Sequence, residues 1–497
     1  MTAMGGKVSV TAQTVLGDPA FATLKSLVID TTGMAFYRDK SHDLAQILSA
    51  RMAEAGADDC AGYFARLTSD SHEMDALVAE LTIGETYFFR HKEQFDALRD
   101  LILPDVIERN RQLKRLRIWS AGCATGPEPY SIAIMLEREF GARISDWHVT
   151  ILGTDINQKF LARAREGRYD TWAFRTMSDD IRDACFTKHG NQWQINASFK
   201  RFVKFQYHNL ITSKFPSIID NIAGFDIIIC RNVIIYFSAE TIAGLIPCFR
   251  ETLSDKGWLV MGHAEPNQEL FKDFQTVNVD GAVLYQRVDG YSAQMSPLPA
   301  SSDVAPMPKS PSAMLPKLAA MDTGRLAPAR TQRGAAPPPR PPLRPPLRPG
   351  TATVAKPPTP VVPPVDGGVV RIRELADQGQ WEAAAAACDA LLARTPMDAW
   401  AHFYRAMIFE QVGQAEDCEK ALRRAIYLDR KMVLPHYHLG LFLLRRDDAA
   451  AAARAFRNVL SLLKDVPDDD PVADGDKIMA GQMREAVAMH LTMIGGA

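Results

Sequence analysis

"RLRIWSAGCATGPEPYSIAI", residues 115–134, decides how the middle of this chain folds. Leu116, Ile118 and Trp119 open it as an apolar run of β type, and a helical pattern resumes at Tyr130. Between them Gly122 and Gly126 let the backbone turn sharply. Pro127 and Pro129 suit the first turn of a helix, where a missing N–H costs nothing. Glu128 then stands beside the exposed N–H groups of that turn. A glycine turn from strand to helix lets backbone approach a ligand closely, and so recurs in nucleotide-binding sheets.

Outward from this stretch the pattern repeats. "VTILGTD", "FDIIIC", "GWLVMG" and "AVLYQRV" read as further strands, separated by helical periods up to residue 288. Strands alternating with helices imply an α/β unit with a mostly parallel sheet covered on both faces. The irregular piece between "ARAREGRYD" and "FQYHNL", about 170–207, reads as a small antiparallel β-subdomain. Residues 18–85 show helical periodicity and no convincing strand.

Downstream the composition changes. Twenty of the 31 prolines lie between Tyr291 and Gly368, with almost no aromatic residues. Such a stretch cannot bury enough apolar surface to offset its ordering entropy, so it reads as a disordered, locally polyproline-II linker. Its run "PPRPPLRPPLR" also has the composition of a ligand for SH3-type grooves. Beyond it, Trp381, Ala415 and Ala449 stand 34 residues apart. Small residues recur at the same period (Ala384, Cys418, Ala452), and Ala406 and Gly440 mark a close-packing point in the first helix of two successive units. That period with small residues at fixed sites is the tetratricopeptide signature, and about three repeats are expected to stack over residues 369–464.

The totals narrow the function classes. Fifty-seven Lys+Arg against 59 Asp+Glu give no general attraction to nucleic acid or an anionic membrane. The seven cysteines show no CxxC and no metal-ligand spacing, so buried thiols and no metal site are expected. No uncharged apolar run reaches the ~20 residues of a membrane span. "MTAMGGKVSVTAQ" lacks the pattern of a secretory signal, and a cytoplasmic location with recruitment to membrane receptor arrays is expected.

Polar residues gather where such folds bind ligands. An acidic residue is a poor neighbour for pyrophosphate but suits an ammonium, so the turn before Glu128 favours an adenosine ligand such as S-adenosyl-L-methionine. Asp155 ends the second strand, where doubly wound folds hold ribose hydroxyls; its alternative reading is a helix cap. "FDIIICRNVIIYF" delivers Arg231, Asn232 and Tyr236 at a strand's end. "IGETYFFRH" sets Thr86 and Arg90 around three aromatics, at least two of which read as core.

Taken in order, "GETYFFRHKEQFDAL", "WSAGCATGPEPYSIA", "TDIN", "AREGRYD", "FQYHNL", "FDIIICRNVIIYF" and "LVMGHAEP" resemble the CheR-type methyltransferases over about residues 18–288. Those enzymes esterify glutamate side chains of methyl-accepting chemoreceptors from S-adenosylmethionine. The resemblance implies an N-terminal helical domain (1–85) and a Rossmann-like methyltransferase domain (86–290) with an inserted three-stranded subdomain. The linker (291–368), the all-α repeats (369–464) and a C-terminal capping segment (465–497) complete the expected organisation. It implies cofactor contacts at Thr86, Arg90, Glu128, Asp155, Asn209, Leu210, Arg231 and Asn232, with Glu128 taking the ammonium. Arg90 and Tyr236 would border the transferred methyl. The implied partner is the cytoplasmic domain of a chemoreceptor; an unidentified protein or peptide is expected in the tetratricopeptide groove, and neither nucleic acid nor direct membrane insertion is expected. The competing reading is a catalytically weak S-adenosylmethionine-binding scaffold acting through its repeats.

The sequence departs from the family pattern in places. Gly84 stands where some members have Asn, and Pro127 replaces the first Glu of Glu-Glu-Pro. Residues 1–83 hold six Lys+Arg against eleven Asp+Glu, so any basic docking patch is local (Arg38, Lys40, Arg51). "TKHGNQWQ" looks short for a loop that holds a receptor C-terminal pentapeptide, so such binding is not expected.

Overall fold

The computed structural model describes residues 10–265, 269–290, 367–446, 448–468, 470–472 and 478–495. The expected disordered linker and its SH3-type run lie outside these residues. Helices Ala12–Gly17, Phe21–Thr32, Ser41–Ala55, Cys60–Ser69 and Ser71–Leu81 form the N-terminal unit. Leu24, Val28, Leu44, Leu48, Tyr63 and Leu77 are its fully buried core. Asp59 and Asp70 cap two of these helices by accepting from backbone N–H groups, as short polar side chains do at N-caps. Arg51 forks onto Glu73 at 2.8–2.9 Å, and the Tyr63 hydroxyl donates to the same carboxylate at 2.7 Å. Arg51 is therefore committed to this unit's interior, and the local basic patch reduces to Arg38 and Lys40.

The strands are β1 Arg115–Ala121, β2 His148–Asp155, β3 Arg168–Tyr169, β4 Phe186–His189, β5 Gln192–Ile195, β6 Val203–Tyr207, β7 Phe225–Cys230, β8 Leu253–Met261, β9 Gln275–Val279 and β10 Ala282–Gln286. Seven make one sheet in the order β6-β2-β1-β7-β8-β10-β9. Pairing is parallel from β6 through β8, then antiparallel through β10 to β9. Every residue of β1 and β7 is buried, which explains their unbroken apolar character: helices cover both faces of a parallel sheet. Strand order reverses between β1 and β7, so a crevice opens at their carboxyl ends.

Three strands, β3-β5-β4, form the small antiparallel sheet, and a Gly190–Asn191 turn joins β4 to β5. The expected subdomain ran on to residue 207, but β6 pairs in parallel with Ile151–Asp155 and is the main sheet's edge. Alternation along Gln192–Gln206 signals a half-buried strand without saying which sheet it joins.

The C-terminal part consists of helix pairs Gly367–Asp377 with Trp381–Arg394, Ala399–Gln411 with Ala415–Leu428, and Val433–Arg445 with Ala449–Leu462. Helix Ala480–Gly495 follows, and its Ala480, Met483 and Val487 continue the same core. A Cβ on Gly440 would stand 2.6 Å from the Phe456 ring, so the helices touch where the small residue recurs. Ala384, Cys418 and Ala452 are fully buried at the equivalent site of each second helix. Part of the surface expected to receive a separate protein or peptide is covered instead by the chain's own segment between β6 and β7: Ile218, Ile219 and Ala223 share the repeats' core.

Candidate functional site

At the carboxyl ends of β1, β2, β6 and β7 lies an open cleft. The structure brings all the residues singled out from the sequence to its walls: Thr86, Arg90, Glu128, Asp155, Asn209, Leu210, Arg231, Asn232 and Tyr236. The turn after β1 shapes its floor. Gly122 has φ +78°, and a Cβ there would meet Val233 at 2.3 Å, so only glycine allows this approach. The N–H groups of Gly122 and Cys123 donate to the Thr154 carbonyl at 2.8 and 2.9 Å, which ties the turn to the end of β2.

Glu128 and Arg231 form a buried pair. Arg231 Nε donates to Glu128 Oε2 at 2.7 Å, and Ser120 Oγ donates to Oε1 at 2.6 Å. The other arm of Arg231 donates to the Arg90 carbonyl and to Gln94 Oε1 at 2.7 and 2.8 Å. Arg231 is thus the tie between the strand-to-helix turn and the segment that carries Arg90. The Glu128 carboxylate retains acceptor sites for an ammonium, since each oxygen has two lone pairs.

Asp155 accepts from the backbone N–H of Ala124 at 2.9 Å and of Asn157 at 2.8 Å. The cap of the following helix, Gln158–Glu166, is Asn157, whose side chain accepts from Phe160 N–H. Asp155 is therefore not that helix's cap, and its carboxylate edges the cleft. Burial pushes it up to about 6, against the pull of the N–H groups of Asn157, Ala124 and Ile156. Below that pH it loses the charge that attracts hydroxyl donors. Affinity for S-adenosylmethionine is expected to fall as pH drops through 6 and to level off above 7, in calorimetric titrations across pH 5–8; an equal loss in Asp155→Asn would assign the effect elsewhere.

Arg90 donates from Nη1 to the Glu85 carbonyl at 2.8 Å, while its buried Nε has no partner among the described residues. An unpaired buried donor at a cleft wall fits an acceptor brought in by a ligand. Asn209 is otherwise engaged: its amide donates to Thr31 O at 2.8 Å and its Oδ1 accepts from Ile211 N–H at 2.9 Å. Its side chain anchors this loop to the N-terminal helices and leaves its main chain at the cleft.

Several cleft residues escape a reading of the sequence alone. Phe36 and Tyr37 reach it from the short turn Ala35–Arg38 of the N-terminal unit, and Met34 from the position just before it. Phe36 meets Tyr236 edge to face at 6.2 Å, and the Lys40 ammonium sits over the Phe36 ring at 4.0 Å. Nothing in "GMAFYRDK" signals this beyond its apolar residues. Glu265 is buried and accepts from Val233 N–H at 3.1 Å and Gly262 N–H at 2.5 Å. It holds the loop in which Asn232 takes a left-handed φ of +59° and which carries Tyr236. The Gly84 departure also has a physical reason: a Cβ there would stand 2.6 Å from the Phe160 ring, which itself lines the cleft. Among the described residues no cluster of His, Cys, Asp and Glu could hold a metal, and no helix is long and apolar enough to cross a membrane.

Residues 84–283 match the S-adenosylmethionine-binding domain of CheR methyltransferases, and residues 19–82 match their all-alpha domain. Over 203 residues the chain is 36% identical to a chemotaxis protein methyltransferase of Listeria monocytogenes, covering 41% of this chain and 73% of that protein. Over 407 residues it is 28% identical to the probable biofilm formation methyltransferase WspC of Pseudomonas aeruginosa, covering 81% of this chain and 90% of that protein. Chemotaxis protein methyltransferase 1 of the same organism is 28% identical over 271 residues, 54% of this chain and 97% of that protein.

Proposed function

Because the chain belongs to the CheR family of S-adenosylmethionine-dependent chemotaxis methyltransferases, we propose that it esterifies glutamate side chains in the cytoplasmic domain of a methyl-accepting chemoreceptor. The observation that carries this reading is the Nε of Arg90, unpaired among the described residues and buried in a cleft also lined by Tyr236 and Phe36. Such a slot presents a cation and two aromatic walls to an entering carboxylate. The bound donor supplies a methyl on a sulfonium, which passes to the carboxylate oxygen and leaves a thioether.

A glutamate carboxylate is already ionised at neutral pH, so the chain needs no general base. Its contribution is alignment, which is worth up to ~7–11 kcal/mol when two reactants are held in near-attack geometry. Glu128, Asp155, Arg231 and the main chain around Asn209, Leu210 and Asn232 would hold the donor, with Thr86 at its edge. Arg90 and Tyr236 would aim the acceptor. The surface cations left near the mouth, Arg38 and Lys40, suit acidic residues flanking the target glutamate.

The repeats would bring this activity to one receptor complex in the cytoplasm. Their exposed Met397 and Tyr427 flank Arg424, a mixed apolar and cationic edge suited to a protein partner. The likeness to WspC along most of the chain supports a receptor pathway that governs growth as a biofilm. The two-residue turn between β4 and β5 leaves little to grip a receptor's C-terminal pentapeptide, and calorimetric titration with one should give no heat.

The deciding experiment transfers radiolabelled methyl groups into membranes that hold the host's receptors. Base-labile label in one receptor band is the expected result. Cofactor binding without any label would instead favour the scaffold reading.

A further inference from the structure

The repeats in this structure press on the methyltransferase domain with the face formed by the first helix of each pair. Such faces line the inner side of a helix-pair array, the side usually offered to other proteins. Here they meet the segment between β6 and β7 and the amino ends of the sheet strands. Asp377 accepts from Ile218 N–H at 2.6 Å, and Gln411 donates to Asn221 Oδ1 at 2.8 Å. Arg117, on β1, donates to the same Asn221 side chain and to its carbonyl, both at 3.1 Å.

Three features mark this as a built contact. The backbones of Gly224 and Gly379 touch: a Cβ on either would stand 2.7–3.0 Å from the other's Cα, so both positions require glycine. The Arg115 guanidinium lies over the Trp381 ring at 5.4 Å. Arg115 and Arg117 are buried at the start of β1, where cations are costly unless an anion faces them. Asp226 on β7 is the anion facing both, and Glu410 of the repeats adds a second one at Arg117. Burial acts to raise the Glu410 pKa, but Arg445, Lys204, His438 and Arg117 around it hold it below the usual carboxylate range.

The clamped segment has a second end. Asn209 and Leu210 stand at the cofactor cleft, and only a short stretch separates them from Ile218. Gln206, on β6 just before the cleft residues, ties the far end back by donating to the Asp220 carbonyl at 2.8 Å, and Asn209 N–H donates to Ser213 Oγ at 3.3 Å within the near end.

We propose that the first-helix face of the repeats docks this chain's own methyltransferase domain, and that the contact holds residues 209–224 in the form that binds S-adenosylmethionine. The coupling half of this inference rests on the cleft being the cofactor site. A partner that competes for the same face of the repeats would then lower cofactor affinity, because any ligand that favours the undocked form shifts the equilibrium that way.

The test uses the full chain and charge reversal from both sides. Glu410→Lys turns its attraction to Lys204 and Arg117 into repulsion across the contact. Lys204→Glu sets a carboxylate against Glu410 that Arg445 partly offsets, and the double variant restores opposite charges. Hydrogen exchange over 209–224 reads the contact, and calorimetric titration with S-adenosylmethionine reads the coupling. Each single variant is expected to speed exchange in that segment and to weaken cofactor binding about 10-fold, the usual scale of coupling between sites. The double variant should recover most of both. Faster exchange with unchanged affinity would overturn the coupling, and unchanged exchange in both single variants would overturn the docking. If Glu410→Lys unfolds the repeats, Lys204→Glu still carries the test, since its repeats are unaltered. Lack of cofactor binding by the unaltered chain would sink the cofactor reading, while the exchange data would still decide the docking.

Discussion

Arg90→Ala lowers kcat/KM for receptor methylation by about 10²–10³-fold, the scale of losing one preorganised donor from a reacting centre. The fold survives the change, because Arg90 is only partly buried and its side chain donates only to the nearby Glu85 carbonyl among the described residues. Its Nε has no partner among the described residues, so on the proposed reading what disappears is a donor free for the incoming reactants. Steady-state kinetics with purified receptor domains, beside far-ultraviolet circular dichroism, checks both halves. Asp155→Ala should abolish transfer differently, through lost cofactor affinity at unchanged fold. If either variant kept near-normal activity, the assignment of the cleft would be wrong.

Arg231→Ala costs about 3–5 kcal/mol of stability, because it leaves Glu128 as an uncompensated buried charge. It also removes the donor that fixes the Arg90 carbonyl, so activity is lost with it. The paired replacement Arg231→Met with Glu128→Leu recovers most of the stability, since no unpaired charge remains, yet stays inactive. Denaturant midpoints for the three chains separate the effects. A loss below about 1 kcal/mol in Arg231→Ala would mean that water reaches the pair, for which exposed ion pairs set the scale.

Much of this could be read along the chain. Gly122, Gly126 and the prolines of residues 115–134 announced a strand, a turn and a helix, because each acts on its own backbone dihedrals. The 34-residue spacing of Ala384, Cys418 and Ala452 announced stacked helix pairs, because a small residue every period is what a close crossing needs. Glu128, Asp155, Arg231, Asn232 and Tyr236 were legible because they stand at or just past strand ends, and strand ends are legible. Thr86 and Arg90 follow a helix and stood out by the aromatics between them, and Asn209 and Leu210 only by the family resemblance. Phe36 and Tyr37 were not, since they reach the cleft from a unit whose own helical pattern says nothing of what it faces. Glu265 stood in a matching block without a role, because its partners are backbone N–H groups that carry no mark in the sequence.

What the sequence determined by itself is therefore the set of elements, their order and the chemistry carried at their ends, all consequences of short-range sterics and hydrophobic period. Tertiary structure alone decided that β6 closes the main sheet, that Arg51 turns inward to Glu73, that Arg231 is spent on Glu128 and the Arg90 carbonyl, and that the repeats lie against residues 217–224. Each of these joins groups far apart in the chain. A buried charge or an edge strand takes whichever partner the packed fold leaves within reach, and that choice is made by desolvation and contact in three dimensions.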